Sequence, residues 1–111
     1  MTETEHLLTC LAEEAGEIVQ ACGKALRFGL DDGYPGTDRT NAGDIATEIA
    51  HLKAVAGMLD LHADKSEGTL MDDKIAKVRE FMEYARRRGT LMPNQRRGRD
   101  CQPAPPTGER K

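Results

Sequence analysis

The sequence predicts an all-α protein, in which three main helices per chain form a bundle that self-association completes. Apolar residues recur at spacings of three and four in three separate segments, and no run alternates apolar and polar residues as a half-buried strand does. Among 111 residues there are two Phe, two Tyr and no Trp. Ala, Leu and Ile therefore supply most of the packing, which suits closely packed helices in one domain with a modest core.

The first helix is predicted between a cap at Thr2 or Thr4 and a stop at Gly29. Its apolar residues share one helical face and are Leu8, Leu11, Ala15, Ile18, Cys22 and Leu26. The segment that follows, "LDDGYPGTDRT", is predicted to be a loop because it is rich in Gly, Pro and Asp.

The second helix is predicted to begin at Asn41 as N-cap, with Asp44 placed in the style of a capping box. Its apolar face consists of Ile45, Ile49, Leu52, Val55, Ala56 and Leu59.

The third helix is predicted to begin at a Thr69 cap and to end at Gly89. Its apolar face consists of Met71, Ile75, Val78, Met82 and Ala85. Three such faces are more than one short chain buries, so a homodimer or homotetramer is expected.

Charge divides the chain into two parts. Residues 1–85 carry 17 acidic and 8 basic residues, whereas residues 86–111 carry 8 basic and 2 acidic ones. The prediction is a helical domain over 1–88 and a basic, Pro-rich, disordered tail over 89–111. Such a tail is able to contact nucleic acid, but a simple solvated end is the favoured interpretation.

The cysteine pattern and the hydropathy indicate a cytoplasmic protein. Cys10, Cys22 and Cys101 are odd in number and lack the spacing of zinc ligands, which fits free thiols in a reducing compartment. The first residues do not resemble a signal peptide, and no stretch approaches the roughly 18 apolar residues that a membrane span needs.

Carboxylates crowd two of the predicted helices. Glu13, Glu14 and Glu17 lie within five positions, with Glu14 at the border of the first apolar face and Glu17 one turn further. Glu48 lies among apolar residues of the second helix. A buried carboxylate is protonated, paired or bound to a metal, and hard oxygen ligands suit Mg²⁺ or Mn²⁺.

Simpler interpretations of these carboxylates exist. Glu14 and Glu17 are solvated residues in many acidic helices, and Glu48 has Lys53 and Lys24 as possible ion-pair partners.

Four sequence features together resemble the MazG-type all-α nucleoside triphosphate pyrophosphohydrolases, and especially the short MazG-like proteins often found in phages. They are "EE-x-x-E-x-x-Q" at Glu13–Gln20, "KALRFG" at Lys24–Gly29, "TN" at Thr40–Asn41, and the closing pattern between Lys77 and Arg86. The resemblance covers about residues 7–91. EExxE alone is a weak signal, but the set in this order is fairly specific.

This resemblance implies a helical bundle that assembles as a dimer or tetramer. It also implies Mg²⁺-dependent cleavage of nucleoside triphosphates between the α and β phosphates, in the service of nucleotide-pool clean-up. Glu14, Glu17 and Glu48 then correspond to metal ligands. Glu13 corresponds to a further ligand or to the residue that orients the attacking water.

The substrate is expected to contact a second set of side chains, for each of which a plain structural role is the alternative. Lys24 and Arg27 are expected to bind phosphate, or else to be surface residues near a helix end. Asn41 is a candidate nucleotide contact or an N-cap. Lys77 and Tyr84 share one face of the third helix, where they line a pocket or simply pack.

His51 departs from the family's second motif, ExxD, because it occupies the position of the Asp. A neutral imidazole is a poor Mg²⁺ ligand but a fair ligand for Mn²⁺, Co²⁺ or Zn²⁺. The replacement of Asp by His51 has three possible outcomes: an altered metal preference, a weakened activity, or a catalytically silent nucleotide-binding or interaction module. Asp44 is the nearby carboxylate that could replace it, but as a capping residue it is expected to be occupied locally.

Overall fold

The computed structural model describes residues 1–93 and contains three α-helices there: α1 (Glu3–Phe28), α2 (Asn41–Gly57) and α3 (Glu67–Arg88). The predicted all-α class is confirmed for this part of the chain, in which the only strand-like pairing is a single bridge between Gly33 and Thr40. The chain divides into two compact units, Met1–His62 and Ala63 onward.

The first unit is a helical hairpin in which α1 packs against α2. Ala21 is buried on α1, and its small side chain allows the two helices to approach closely. The half-buried residues of α1 recur at helical spacing and are Leu7, Cys10, Leu11, Glu14, Ile18, Gly23, Lys24 and Ala25.

The contact face of α1 is therefore rotated from the predicted one. Leu11 and Ile18 belong to both faces, but Leu8, Ala15, Cys22 and Leu26 are exposed. Because α1 carries more apolar residues than one neighbouring helix can cover, α2 covers only part of them. On α2 the predicted face is half-buried except for Ile49, which is exposed.

Capping residues define where each helix begins. The Thr2 side chain accepts a hydrogen bond from the Glu5 N–H, and Glu5 completes a capping box. Asn41 was predicted as the cap of α2, but Thr40 holds this position and accepts from the Gly43 N–H at 3.0 Å.

The cap of α3 also differs from the predicted one. Ser66, not Thr69, is the N-cap, and its hydroxyl accepts from the Thr69 N–H at 3.2 Å. In both cases a second Ser, Thr or Asn stands within three residues, so composition alone does not determine which one caps the helix.

The second unit consists of α3 and the residues that end it. Gly89 adopts a left-handed conformation with φ of 83°, as predicted for the stop, and its N–H donates to the Arg86 carbonyl at 3.0 Å. Of the predicted apolar face, only Ala85 is half-buried. The expected basic tail lies mostly at residues 94–111, and together with Cys101 that part lies outside the described residues.

Between Met1 and Pro93 no helix combines the length and the apolar character that crossing a bilayer requires.

Candidate functional site

Glu14, Glu48 and His51 come together where α1 packs against α2. One potential ligand atom from each residue lies within 4.8 Å of those of the other two. Glu14 and Glu48 are held there because each occupies the half-buried face of its own helix, with side chains that are 21% and 22% exposed. We call these three residues the carboxylate–histidine group.

His51 lies beside both carboxylates but hydrogen-bonds to only one of them. Its Nδ1 lies 3.2 Å from Glu48 Oε1 and 3.7 Å from Glu14 Oε1. The hydrogen-bond roles at this contact depend on the His51 tautomer, and Nδ1 is the donor when Glu48 is ionised. The Glu48 carboxylate thus pairs with a histidine one turn away, and neither Lys24 nor Lys53 forms an ion pair with it in residues 1–93.

Glu14 has an unusual environment for an acidic side chain. Its Oε1 atom is buried and has no hydrogen-bond partner in the structure. The 3.7 Å separation from His51 is too long for a hydrogen bond. A buried oxygen without a partner costs free energy unless a cation or a proton donor occupies the adjacent space.

Glu17 adjoins the carboxylate–histidine group without belonging to it. A hydrogen bond with the Glu48 carboxyl group raises the pKa of Glu17 above its ordinary value of 4.5, and repulsion from Glu14 and Glu48 adds to the effect. Glu13 is exposed, and its charge makes the smallest contribution to the same shift. The raised pKa indicates excess negative charge at this place.

Asp44, which the sequence offered as a replacement carboxylate, has a partner of its own. Its carboxylate accepts from the Arg39 guanidinium, with both oxygens at 3.2 Å from Nη2. Asp44 therefore anchors Arg39 at the start of α2.

Lys24 is half-buried and lies two turns beyond Glu17 on α1. Its Nζ donates to the Tyr34 hydroxyl at 3.4 Å. Arg27, in the last turn of α1, is exposed, and its guanidinium lies 5.2 Å from the centroid of the Phe28 ring.

Asn41 is buried and fastens the loop to the start of α2. Its Nδ2 donates to the Gly29 carbonyl at 2.8 Å, and its backbone N–H donates to the Asp32 carbonyl at 2.7 Å.

Lys77 and Tyr84 belong to the second unit. The Lys77 ammonium lies 6.0 Å from the Phe81 ring centroid, and the Tyr84 ring is half exposed with the Arg87 guanidinium 5.8 Å from its centroid. Their part in substrate binding stays a prediction.

Tyr34 and Arg39 belong to no sequence motif, so the sequence did not name them as candidates. The Arg39 guanidinium lies 4.3 Å from the centroid of the Tyr34 ring, which is a close cation–π contact. The loop composition predicts only irregular structure at these positions, so the contact emerges from the folded loop alone.

No known protein family, curated protein or solved structure matches the chain.

Proposed function

We propose that this chain is a metal-dependent nucleoside triphosphate pyrophosphohydrolase that converts a nucleoside triphosphate and water to the monophosphate and pyrophosphate. The observation that carries the proposal is the partnerless, buried Glu14 Oε1 within a group of ligand atoms from two helices. The resemblance to MazG-type enzymes supplies the reaction class.

The residues fit a divalent cation by the chemistry of their donor atoms. Glu14 and Glu48 would hold it, with Glu17 beside them and His51 as a nitrogen donor. Oxygen ligands suit Mg²⁺ and Mn²⁺, and the imidazole favours Mn²⁺. When bound, the cation neutralises phosphate charge and lowers the pKa of a bound water.

The protein groups themselves have separate roles in this proposal. His51 Nδ1 donates to Glu48 and fixes the orientation of that carboxylate. Glu17 adds a further carboxylate beside the cation, as the resemblance implies, and its raised pKa in the metal-free protein indicates the negative charge that a cation would offset. Glu13 orients the water, and the Lys24 ammonium binds phosphate oxygens.

Phosphate release measured with and without added inorganic pyrophosphatase tests the reaction. A panel of nucleoside triphosphates with Mg²⁺ or Mn²⁺ should release phosphate only when the coupling enzyme is present. Glu14→Gln and Glu48→Gln should abolish turnover, whereas Glu80→Gln on an exposed part of α3 is the matched control and should not. Phosphate release without the coupling enzyme would contradict cleavage between the α and β phosphates.

Self-association is part of the proposal and rests on exposed apolar surface. No residue of α3 is buried, and several large apolar side chains of α1 are also exposed: Leu8, Val19 and Leu26. Surfaces of this kind mark contacts with other chains. Sedimentation at micromolar concentration should give a dimer or tetramer, and a folded monomer would contradict this.

A catalytically silent nucleotide-binding or interaction module is the second candidate. It is favoured by one observation: His51, where the family that the chain resembles has Asp, lies beside both carboxylates and as an imidazolium would offset part of their charge without any metal. Absence of turnover with every triphosphate and metal, in a protein that stays folded, would favour this candidate over the enzyme.

A further inference from the structure

A cleft of about 170 Å³ lies between the last turns of α1 and the loop that leads to α2. Its walls are Lys24, Phe28, Asp32, Gly33, Tyr34 and Asn41. None of the carboxylate–histidine residues lines it. We call it the loop cleft.

The walls of the loop cleft are held in place by the protein's own contacts. Asn41 is only 7% exposed and ties the loop down through the Gly29 and Asp32 carbonyls. A Cβ atom on Gly33 would overlap the Arg39 carbonyl, so the close approach of these two backbone segments requires glycine. A preformed cleft loses less conformational entropy when it binds a ligand.

Tyr34 is fixed from two sides. Arg39, itself anchored by Asp44, lies on the ring at 4.3 Å from its centroid, and Lys24 donates to its hydroxyl at 3.4 Å. Phe28, at the end of α1, adds a second aromatic side chain that is 59% exposed. The loop cleft therefore combines aromatic surface, the Lys24 amine and the Asp32 carboxylate.

Size and position limit what such a cleft can bind. Pockets for whole drug-sized ligands have volumes of roughly 300–1,000 Å³, so this cleft suits a group built around a single ring. Lys24 is seven residues beyond Glu17, which places it about 10 Å along the helix axis on nearly the same side. A phosphate chain that starts at Lys24 can therefore extend toward Glu17, which adjoins the carboxylate–histidine group.

We propose that the loop cleft binds the nucleoside end of the substrate and favours nucleotides with a single-ring base over those with a two-ring base. The inference rests on the proposed function for its ligand class. Phe28 and Tyr34 form apolar walls for the ring, and Lys24 binds the phosphate next to the sugar. Asp32 accepts a hydrogen bond from the ligand, whose donor is either a ring amine or a sugar hydroxyl.

Calorimetric titration of the metal-free full-length protein with nucleoside monophosphates tests the cleft separately from catalysis. CMP and UMP should bind about tenfold more tightly than AMP and GMP. Tyr34→Ala should weaken CMP binding about tenfold or more, since one aromatic–base contact contributes about 1–3 kcal/mol. Phe81→Ala, which removes an exposed aromatic that also lies near a lysine, is the matched control and should leave the affinity unchanged.

Further variants separate the parts of the inference. Tyr34→Phe keeps the ring without the hydroxyl and should retain most of the affinity, which guards against a loss caused by misfolding of Tyr34→Ala. If Asp32 accepts from the ring amine, Asp32→Asn should reduce the preference for CMP over UMP. If Asp32 accepts from the sugar hydroxyl, the same variant should reduce the preference for ribonucleotides over deoxyribonucleotides. Unchanged preferences would overturn the role of Asp32.

Two results would overturn the cleft as the nucleoside site. One is equal affinity for nucleotides with one-ring and two-ring bases, and the other is a CMP affinity that Tyr34→Ala leaves unchanged. Glu48→Gln distinguishes this failure from failure of the proposed function, because it should abolish turnover and leave CMP binding intact. Tyr34-dependent CMP binding without any turnover would retain the cleft and contradict the enzyme.

Discussion

Replacing His51 by Asp adds a negative charge to the carboxylate–histidine group. The distances around His51 allow the effect on stability to be worked out. In the parent, His51 Nδ1 lies 3.2 Å from Glu48 and 3.7 Å from Glu14. His51→Asp removes the hydrogen bond to Glu48 and places a third carboxylate beside the first two. It also creates an ExxD sequence, Glu48 to position 51, like that of the MazG-type motif on which the proposed function draws.

The size of the effect on the metal-free protein follows from these contacts. A hydrogen bond to a charged group contributes about 1.5–3 kcal/mol, but the His51 side chain is 55% exposed, so solvent screening reduces this to about 1 kcal/mol. A like charge about 4 Å away adds about 1 kcal/mol of repulsion in a water-like environment. The free energy of unfolding should therefore fall by about 2 kcal/mol without metal.

Mg²⁺ should reverse this loss in His51→Asp, because the variant offers another hard oxygen ligand. A cation at 100 times its Kd stabilises the folded state by about 2.7 kcal/mol. Urea unfolding with EDTA, Mg²⁺ or Mn²⁺ measures the stability, and initial rates measure turnover. We expect a larger gain with Mg²⁺ than with Mn²⁺, which the imidazole already serves.

His62→Asp is the matched control, because it introduces the same charge change at a histidine that is 82% exposed and pairs with Asp60 at 2.8 Å. It should leave the metal response unchanged. A fall in turnover with both ions in His51→Asp would refute the view that His51 replaces a lost ligand, and would make the histidine a working residue.

Three further predictions concern pH, the loop and the chain length. The pKa of Glu17 is raised in the folded protein, so without metal its contribution to stability should be fully present below pH 4.5 and be lost as pH rises through the raised pKa. Urea unfolding of Glu17→Gln should no longer show this loss of unfolding free energy with rising pH. An identical pH profile for the parent and the variant would contradict the charge crowding. Asn41→Ala should lower the free energy of unfolding by about 1–3 kcal/mol, because it leaves the Gly29 carbonyl without its donor, and a change under 0.5 kcal/mol would show that water replaces the amide. A chain that ends at Leu91 should retain full turnover, since every candidate site residue precedes it, and lost activity in a folded truncation would assign a role to residues 92–111.

The helices of this protein were predictable because each carries its own signal. Apolar spacing located α1, α2 and α3, while Gly29 and Gly89 marked two of the ends. The N-caps of α2 and α3 were not predictable, because neighbouring Ser, Thr and Asn residues compete for the capping position. Capping depends on which backbone N–H a side chain reaches, and Asn41 instead reaches back to Gly29.

The sequence named Glu14, Glu48 and His51 as candidates but did not give the geometry in which they come together, for a physical reason that Glu14 illustrates. Periodicity gives the angle between residues on one helix, but it does not give the rotation of that helix against its neighbour. The broad apolar arc of α1 allowed several rotations, and the sequence placed Glu14 at the border of the contact face. The structure rotates α1 so that Glu14 enters that face, and its Oε1 becomes buried beside Glu48 and His51. The same rotation leaves Glu17 at the edge, where it experiences the charge of the other carboxylates but keeps access to water. The rotation thereby gives the two carboxylates different environments, because Glu14 Oε1 lies buried without a hydrogen-bond partner whereas Glu17 stays exposed.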